Sequence, residues 1–250
     1  MTALAISELV APATAKRTLT PAQAARAIYI DFECRADQPP AVLGVLYAEG
    51  RRRIDEGRVV LRQDVVDPNL IETAGSVDLG GDDDLHRYDT RCGGLRESLQ
   101  AIVQRAMAQD RLIVSWSRHD WKVAVEYGDL DDDTVRAFTE RFRDGKATAR
   151  RWRRRRRPEV VFTRDTSGGT DKLARYFALM GFHVPARYGS GLVARNIRWV
   201  EDALTKRGRF ERLTARQQEA WKDVLVHNRY DCVGLRRVVT AAAQGLSASR

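Results

Sequence analysis

Two carboxylates at the end of an apolar run are the first residues that could do chemistry. Asp31 and Glu33 lie in residues 28–34, where alternation along a strand places both side chains on one face. Neighbouring carboxylates repel each other and lose hydration on burial, unless a cation held by their oxygens compensates the charge. The pair therefore predicts a divalent-metal site. A polar strand face in contact with solvent is the alternative explanation.

A histidine and an aspartate lie four residues apart near the C-terminus. His227 and Asp231 therefore share one face of a predicted helix, about one turn apart. Asp231 is a candidate metal ligand. Histidine side chains titrate near neutral pH, so His227 is a candidate to accept a proton from a water molecule. The alternative is an i, i+4 polar pair that only adds a little stability to the helix.

A third candidate follows a short apolar segment. Residues 111–116 predict a strand that leads through a polar turn into a helix at residues 121–127, and Asp120 lies at this junction. Sites in α/β proteins gather at the carboxyl ends of strands, so Asp120 is a further candidate metal ligand. The alternative is that Asp120 only caps the helix.

The positive charge of the chain is concentrated in one segment. The 250 residues carry a formal net charge of +9, and without the seven arginines of residues 150–157 this charge falls to +2. Such a segment binds phosphate backbones without sequence preference, and an interleaved tryptophan can stack on a base. A localisation-like basic patch or a solvated helix face balanced by acidic segments is the alternative. The predicted nucleic-acid-binding residues are Arg150, Arg151, Trp152, Arg153, Arg154, Arg155, Arg156 and Arg157.

Composition and pattern place these residues in an α/β protein. The content of 43% hydrophobic and 31% charged residues is typical of a globular chain. We predict a flexible leader at residues 1–26, with a short helix after Thr20, and one domain at residues 27–250. Its mixed central sheet contains an antiparallel meander of three strands and further strands, flanked by helices. The predicted strands are residues 28–34, 41–48, 58–66, 111–116 and 160–163.

The predicted helices alternate with these strands. A helical pattern begins at Thr134 and continues through the arginine run, which predicts an Arg-rich helical insertion at about residues 129–158. A capping-box signature joins Thr214 to Gln217 at the start of the last helix. The other predicted helices are residues 95–107, 171–180 and 192–204.

Several classes of protein are excluded by the sequence. No stretch approaches the roughly 18 apolar residues of a membrane span, and the N-terminus does not resemble a secretory signal. The three cysteines form no CxxC pair, which argues against a disulfide framework or a thiolate zinc site. The expected compartment is the cytoplasm.

The order of these motifs resembles a nuclease superfamily. Asp-x-Glu on a first strand, an Asp after a later strand, and a His before a final Asp on the last helix look like the DEDD (DnaQ-like) 3′-to-5′ exonucleases of the ribonuclease H-like fold. The resemblance covers roughly residues 28–240 and is closest to predicted nucleases with ribonuclease H-like domains. Residues 170–177 and 221–231 are similar to the family's Ser-Leu-Lys segment and its Trp…Tyr-Asn-x-x-Asp ending.

The resemblance implies roles for five residues. Asp31, Glu33, Asp120 and Asp231 would be the metal-binding carboxylates, and His227 would stand at the proton-accepting position. Three residues separate His227 from Asp231, a spacing that the family uses with Tyr, whereas its His subgroup uses four. The implied cofactors are two Mg²⁺ or Mn²⁺ ions, which would activate water and stabilise the leaving oxygen.

The expected activity is metal-dependent hydrolysis of phosphodiester bonds. The expected substrate is DNA or RNA, single-stranded or frayed, attacked from a 3′ end. One alternative is a nucleic-acid-binding module on a catalytically inactive nuclease fold, and another is an endonuclease of the same fold. A plain α/β protein that binds protein partners through its basic segment is a further alternative.

Overall fold

The chain is described by a computed structural model over residues 17–35, 38–49, 53–60, 88–164, 170–189 and 191–248. Strands 53–60 and 88–92 are described by their backbone alone. The N-terminal 16 residues of the predicted leader and the last residues of the third predicted strand, 61–66, lie outside these ranges. Within them the chain forms a mixed sheet flanked by helices, as predicted.

The sheet has six strands in the order β4-β3-β2-β1-β5-β6. The strands β1, β2 and β3 form the predicted antiparallel meander. On the other side of β1, strands β5 and β6 run parallel to it, and β4 pairs with β3 in parallel at the opposite edge. The strands are Ile28–Glu33 (β1), Val42–Glu49 (β2), Arg53–Val60 (β3), Tyr88–Cys92 (β4), Ile113–Ser115 (β5) and Phe142–Asp144 (β6).

Helices cover the sheet, and their starts follow from local sequence. Capping boxes form at Thr20 with Gln23 and at Thr214 with Gln217, each satisfying two backbone donors of a first turn. The last helix is the longest described, at 33 residues. The helices are Pro21–Arg26 (α1), Leu95–Ala108 (α2), Arg118–Tyr127 (α3), Asp132–Arg141 (α4), Gly145–Arg156 (α5), Leu173–Leu179 (α6), Val193–Arg207 (α7) and Ala215–Ser247 (α8).

Strand β1 is buried on both faces. Ile28 and Ile30 belong to one hydrophobic cluster, which lies on the side of α2 and α3. Tyr29 belongs to a second cluster on the side of α1 and α8, and its hydroxyl donates to the Ala24 carbonyl (2.6 Å). The face that carries Asp31 and Glu33 is therefore covered by a helix. The alternative of a solvent-facing strand surface is wrong.

The predicted N-terminal leader is partly wrong. Leu19 and Ala24 are buried in the second cluster, and the Leu19 backbone N–H donates to Thr148 of α5 (3.1 Å). The folded domain therefore begins before residue 27, because α1 contributes apolar side chains to the core.

The segment predicted as a helical insertion contains a strand. Instead of one helix from Thr134, the chain forms α4, the edge strand β6 and α5. Phe138 and Phe142 have helical spacing, but Phe138 lies on α4 and Phe142 pairs with Ile113 in the sheet. Both rings are fully buried in the first cluster, 5.8 Å apart between centroids. This segment is therefore part of the core.

Residues 160–163 form no strand, contrary to expectation. Phe162 instead packs its ring edge-to-face on Tyr176, with a centroid distance of 5.2 Å. The guanidinium of Arg153 lies 4.8 Å from the centroid of the same ring. The apolar character of this segment thus reflects side-chain packing on α5 and α6. None of the helices in the described ranges has the length and apolar character needed to cross a membrane.

Candidate metal centre

The polar end of β1 is in contact with α8 because β2 carries a glycine opposite it. Gly44 pairs with Asp31 across the β1–β2 ladder. A Cβ at this position would collide with the Asn228 Oδ1 and the Cys232 Sγ of α8. The absence of a side chain therefore lets α8 approach the sheet closely enough for its polar residues to reach the carboxylates of β1.

Three of the predicted residues form a compact group of possible metal ligands. Glu33, His227 and Asp231 each offer one ligand atom, and these atoms lie within 4.8 Å of one another. The Nε2 of His227 lies 3.4 Å from Asp231 Oδ2 and 3.8 Å from Glu33 Oε1. Glu33 and His227 are buried, and Asp231 is partly exposed. This group could hold a metal ion.

The ring of His227 is held in one orientation by the backbone. Its Nδ1 lies 2.5 Å from the carbonyl oxygen of Tyr188. A carbonyl oxygen can only accept, so Nδ1 carries the hydrogen and donates it. Nε2 is then the nitrogen that faces the two carboxylates. A backbone carbonyl that fixes the second ring nitrogen is the usual support of a metal-binding histidine.

Asn228 connects α8 to both carboxylates of β1. Its Nδ2 donates to Asp31 Oδ2 (2.9 Å) and to the Asp31 carbonyl (3.2 Å), and lies 3.5 Å from Glu33 Oε1. Asn228 is fully buried, and its Oδ1 has no hydrogen-bond partner among the described residues. The amide therefore positions the two carboxylates.

Electrostatic effects show that Asp31 and Asp120 belong to the same group of charges. Burial and the charges of Glu33, Asp231 and Asp120, in that order, raise the pKa of Asp31 well above its ordinary value. Burial also raises the pKa of Asp120, although hydrogen bonds from Ser115 and from the backbone of the first turn of α3 oppose that rise. The carboxylates thus repel each other at an incompletely solvated site.

Glu33 and His227 bind protons more tightly than isolated side chains do. Burial raises the pKa of Glu33 to about 7, although the charge of His227 opposes that rise. Burial lowers the pKa of His227, but the hydrogen bond to Asp231 and the charges of Asp231 and Glu33 outweigh it and raise the pKa to about 9. Metal-free His227 is therefore a cation at neutral pH, placed between two carboxylates, and cannot accept a proton in that state.

Asp120 lies inside α3 and does not cap it. The N-cap is Ser117, whose hydroxyl accepts from the backbone N–H of His119 (3.2 Å). Asp120 is 6% exposed and belongs to the first turn of the helix. The helix begins three residues earlier than predicted, and Asp120 in its first turn is close enough to Asp31 for its charge to raise the pKa of that carboxyl. The capping alternative is wrong.

The eight residues predicted to bind nucleic acid do not form a uniform surface. Arg153 is only 12% exposed, and it contacts Asp171 and the Val160 carbonyl. The ring of Trp152 lies over Gly245 of α8, in contact with the rest of the protein. The prediction of base stacking by Trp152 and of phosphate binding by Arg153 therefore does not fit their packing. Arg151, Arg154, Arg155, Arg156 and Arg157 are exposed, and Arg150 is partly exposed.

Sequence reasoning missed two features of the site, the carbonyl of Tyr188 and the missing side chain of Gly44. The position of Asn228 next to His227 makes its amide a candidate hydrogen-bond donor to a carboxylate, with an ordinary helical asparagine as the alternative, and the structure shows the bond to Asp31. No local pattern connects Gly44 or Tyr188 to the site, since both act through tertiary packing.

Comparison with known proteins adds no assignment. No protein-family model matches the chain, and no curated protein or solved structure is significantly similar to it.

Proposed function

We propose that this chain is a divalent-metal-dependent nuclease of the ribonuclease H-like fold, which hydrolyses phosphodiester bonds from a 3′ end. The observation that carries the proposal is the largely buried group of Glu33, His227 and Asp231, with Asp31 beside it and with the charges of Glu33, Asp231 and Asp120 raising the pKa of Asp31. The negative charge that His227 does not balance is costly unless protons or a further cation bind there. A meander on one side of β1 with parallel strands on the other supports the same fold.

The ligand atoms fit a divalent ion of the first transition row. Glu33 and Asp231 offer carboxylate oxygens, and His227 offers Nε2. Carboxylates suit Mg²⁺ and Mn²⁺, and an imidazole nitrogen shifts the preference towards Mn²⁺ and related ions. When bound, a divalent cation polarises phosphate oxygens and lowers the pKa of an attacking water.

The residues of the chain have separate tasks in this proposal. Asn228 holds Asp31 in place by hydrogen bonds, and the Tyr188 carbonyl orients His227. His227 serves as a ligand through Nε2 and, in the metal-free protein, as a cation that separates Glu33 from Asp231. Asp31 and Asp120 lie outside this group of three and would supply further carboxylate oxygens near it.

The decisive experiment compares the wild type with Asp31→Asn on labelled oligonucleotides. Single-stranded DNA and RNA, labelled at the 3′ or 5′ end, are incubated with Mg²⁺ or Mn²⁺. We expect stepwise loss of nucleotides from the 3′ end, and a loss of activity in Asp31→Asn greater than about 100-fold. The matched control is Asp202→Asn, which changes an exposed carboxylate on α7 and keeps full activity.

Other outcomes separate the alternatives. Tight binding of the oligonucleotides by the wild type, without cleavage in any metal, would favour the nucleic-acid-binding module. Cleavage by Asp31→Asn at the wild-type rate would refute the proposed catalytic site. Cleavage of a circular single strand would show an endonuclease, because a circle has no 3′ end.

A further inference from the structure

Helix α5 has two faces of different chemistry. Its inner face packs on α8, since a Cβ at Gly145 would collide with Val239 and the ring of Trp152 lies over Gly245. Arg156 also donates from Nε to the Gly245 carbonyl (2.9 Å). These contacts fix the helix on the core, so the direction of its other side chains is set.

The outer face of α5 is a double row of cations. Lys146, Arg150 and Arg154 are spaced by four residues, and Arg151 and Arg155 form the adjacent row. Arg151, Arg154 and Arg155 are exposed, and in the described ranges no carboxylate pairs with them. Several positive charges are thus directed to solvent from one rigid element.

Two adjoining cavities extend this row of cations. The first, of about 400 Å³, is lined by Asp144, Ala147 and the five cations of the outer face. The second has a similar volume, shares Lys146 and Arg150 with the first, and adds Trp116 and Lys172 to its lining. The linings of the two cavities together form a continuous, mainly cationic surface that extends from α5 to Trp116, the residue after β5.

Arg150 is held at the junction of the two cavities by a buried carboxylate. Asp171 accepts from Arg150 Nε (3.0 Å), from the Tyr176 hydroxyl (2.6 Å) and from the Thr170 hydroxyl (3.1 Å). The Arg150 side chain is still 43% exposed. Because the contact uses Nε, the two terminal nitrogens of the guanidinium are left for a ligand.

The cationic surface lies on the same sheet edge as the carboxylates. Strands β1, β5 and β6 are parallel, so their carboxyl ends meet at one edge. Tyr29 pairs with Val114, and Ser115 pairs with Asp144. Asp144 therefore lies level with the residue before Asp31, two strand spacings or about 10 Å away.

We propose, building on the nuclease function above, that the outer face of α5 and its two cavities form a phosphate track that binds the backbone of a single-stranded nucleic acid beside the carboxylate cluster. A linear polyanion matches a row of fixed cations that ends next to a hydrolytic site. The lining of the first cavity offers no apolar side chain larger than Ala147, which disfavours insertion into a lipid surface. The track uses only some of the arginines of residues 150–157, because Arg153 faces the core and Arg156 and Arg157 do not line either cavity.

The test measures binding without cleavage. The affinity of a fluorescent single-stranded oligonucleotide is measured by anisotropy in EDTA, at several salt concentrations, for the wild type and for Arg151→Gln/Arg154→Gln/Arg155→Gln. For a single strand, each lost phosphate contact reduces the magnitude of the slope of log affinity against log salt concentration by about 0.7. The loss of three contacts therefore reduces this slope by about 2, and it lowers the affinity at 0.1 M salt by about a hundredfold.

The matched control removes the same charge elsewhere. Arg195→Gln/Arg198→Gln/Arg216→Gln changes three exposed arginines on α7 and α8, and we expect the wild-type slope. An equal loss of affinity in both triple variants, or none in the α5 variant, would overturn the track. Tighter binding to anionic phospholipid vesicles than to the oligonucleotide at equal phosphate concentration would also overturn it.

The two proposals can fail separately. Salt-dependent binding that requires the α5 arginines, without cleavage in any metal, would refute the nuclease and support the track. Cleavage by the wild type with unchanged binding by the α5 variant would refute the track alone.

Discussion

The carboxylate cluster and helix α5 both concentrate charge of one sign, but they hold it differently. The carboxylates of Asp31, Glu33 and Asp120 are packed between β1, α3 and α8, where burial raises the pKa of each and repulsion by neighbouring carboxylates adds to the rise at Asp31 and Glu33. On α5 the inward cation Arg153 is matched by Asp171, by a carbonyl oxygen and by an aromatic ring, and Arg150 at the junction of the two cavities also pairs with Asp171. The exposed cations Arg151, Arg154 and Arg155 are left in solvent.

The difference has an energetic consequence. The buried carboxylates would be stabilised by a bound cation, whereas the exposed arginines are stable with or without a bound anion. Buried like charges destabilise the folded chain, so their presence together at one point is the stronger support for the proposed cation site. Exposed arginines cost the fold little whether or not they bind anything. The proposed metal centre therefore rests on geometry together with the energetics of buried charge, whereas the proposed phosphate track rests on geometry alone.

The largest effect is expected at the buried ligand. Glu33→Gln removes one charged oxygen from the group of possible ligands, so we expect the affinity for Mn²⁺ to fall by more than about 100-fold. Isothermal titration calorimetry measures this affinity. The control Glu159→Gln removes an exposed carboxylate that pairs with Arg157 (2.6 Å) and keeps wild-type affinity. Similar Mn²⁺ binding in wild type and Glu33→Gln would remove the distinction between the two regions.

The next effect is expected at the amide that positions the carboxylates. Asn228→Ala leaves Asp31 without its hydrogen bond from α8, and we expect metal affinity to fall about 10- to 100-fold. The control is Gln218→Ala on the same helix, whose amide donates to the Phe210 and Leu213 carbonyls away from the site. If both variants bind metal equally well, Asn228 has no positioning role.

A smaller effect tests whether α5 is anchored independently of the metal centre. Asp171→Asn weakens the contacts with Arg150 and Arg153, and we expect the free energy of unfolding to fall by about 2 kcal/mol with unchanged metal affinity. Urea denaturation measures the first quantity. Asp129→Asn, at an exposed pair with Arg96, is the control and has little effect. A parallel loss of metal affinity would show that the two regions are coupled.

A separate effect, on stability and not on metal affinity, concerns the pH dependence of the metal-free protein. The folded-state pKa values of Glu33, about 7, and His227, about 9, lie above those of the unfolded chain, so the folded state binds protons more tightly. The resulting stabilisation is complete below the unfolded pKa values and is lost as pH rises through about 7 and 9. We expect Tm to fall by several degrees between pH 5 and 9. Saturating Mn²⁺ should reduce this fall, and a flat metal-free profile would contradict the cluster energetics.

Much of the site could be predicted because its signals are local. Alternation along β1 placed Asp31 and Glu33 together, and helical spacing placed His227 and Asp231 together. These periodicities are set by the backbone and hold whatever the tertiary environment. The meander and the capping box at Thr214 were predictable for the same reason.

The errors arose where a local pattern fits more than one secondary structure, or where tertiary contacts determine the role of a residue. Phe138 and Phe142 have a spacing that fits one helix, but Phe142 lies on the three-residue strand β6. The buried amide of Asn228 has the sequence signature of an ordinary helical asparagine. Its role depends on the close approach that Gly44 allows, which no periodicity encodes.

The contact between Asn228 and Asp31 joins residues 197 positions apart in the chain. At synthesis rates of about 5–20 residues per second, the acidic strand leaves the ribosome about 10–40 s before the helix that completes the site. Until then Asp31 and Glu33 lack the amide, the imidazole and the third carboxylate of α8. The candidate metal centre therefore forms only after α8 has been synthesised, and a growing chain without α8 carries only its acidic half.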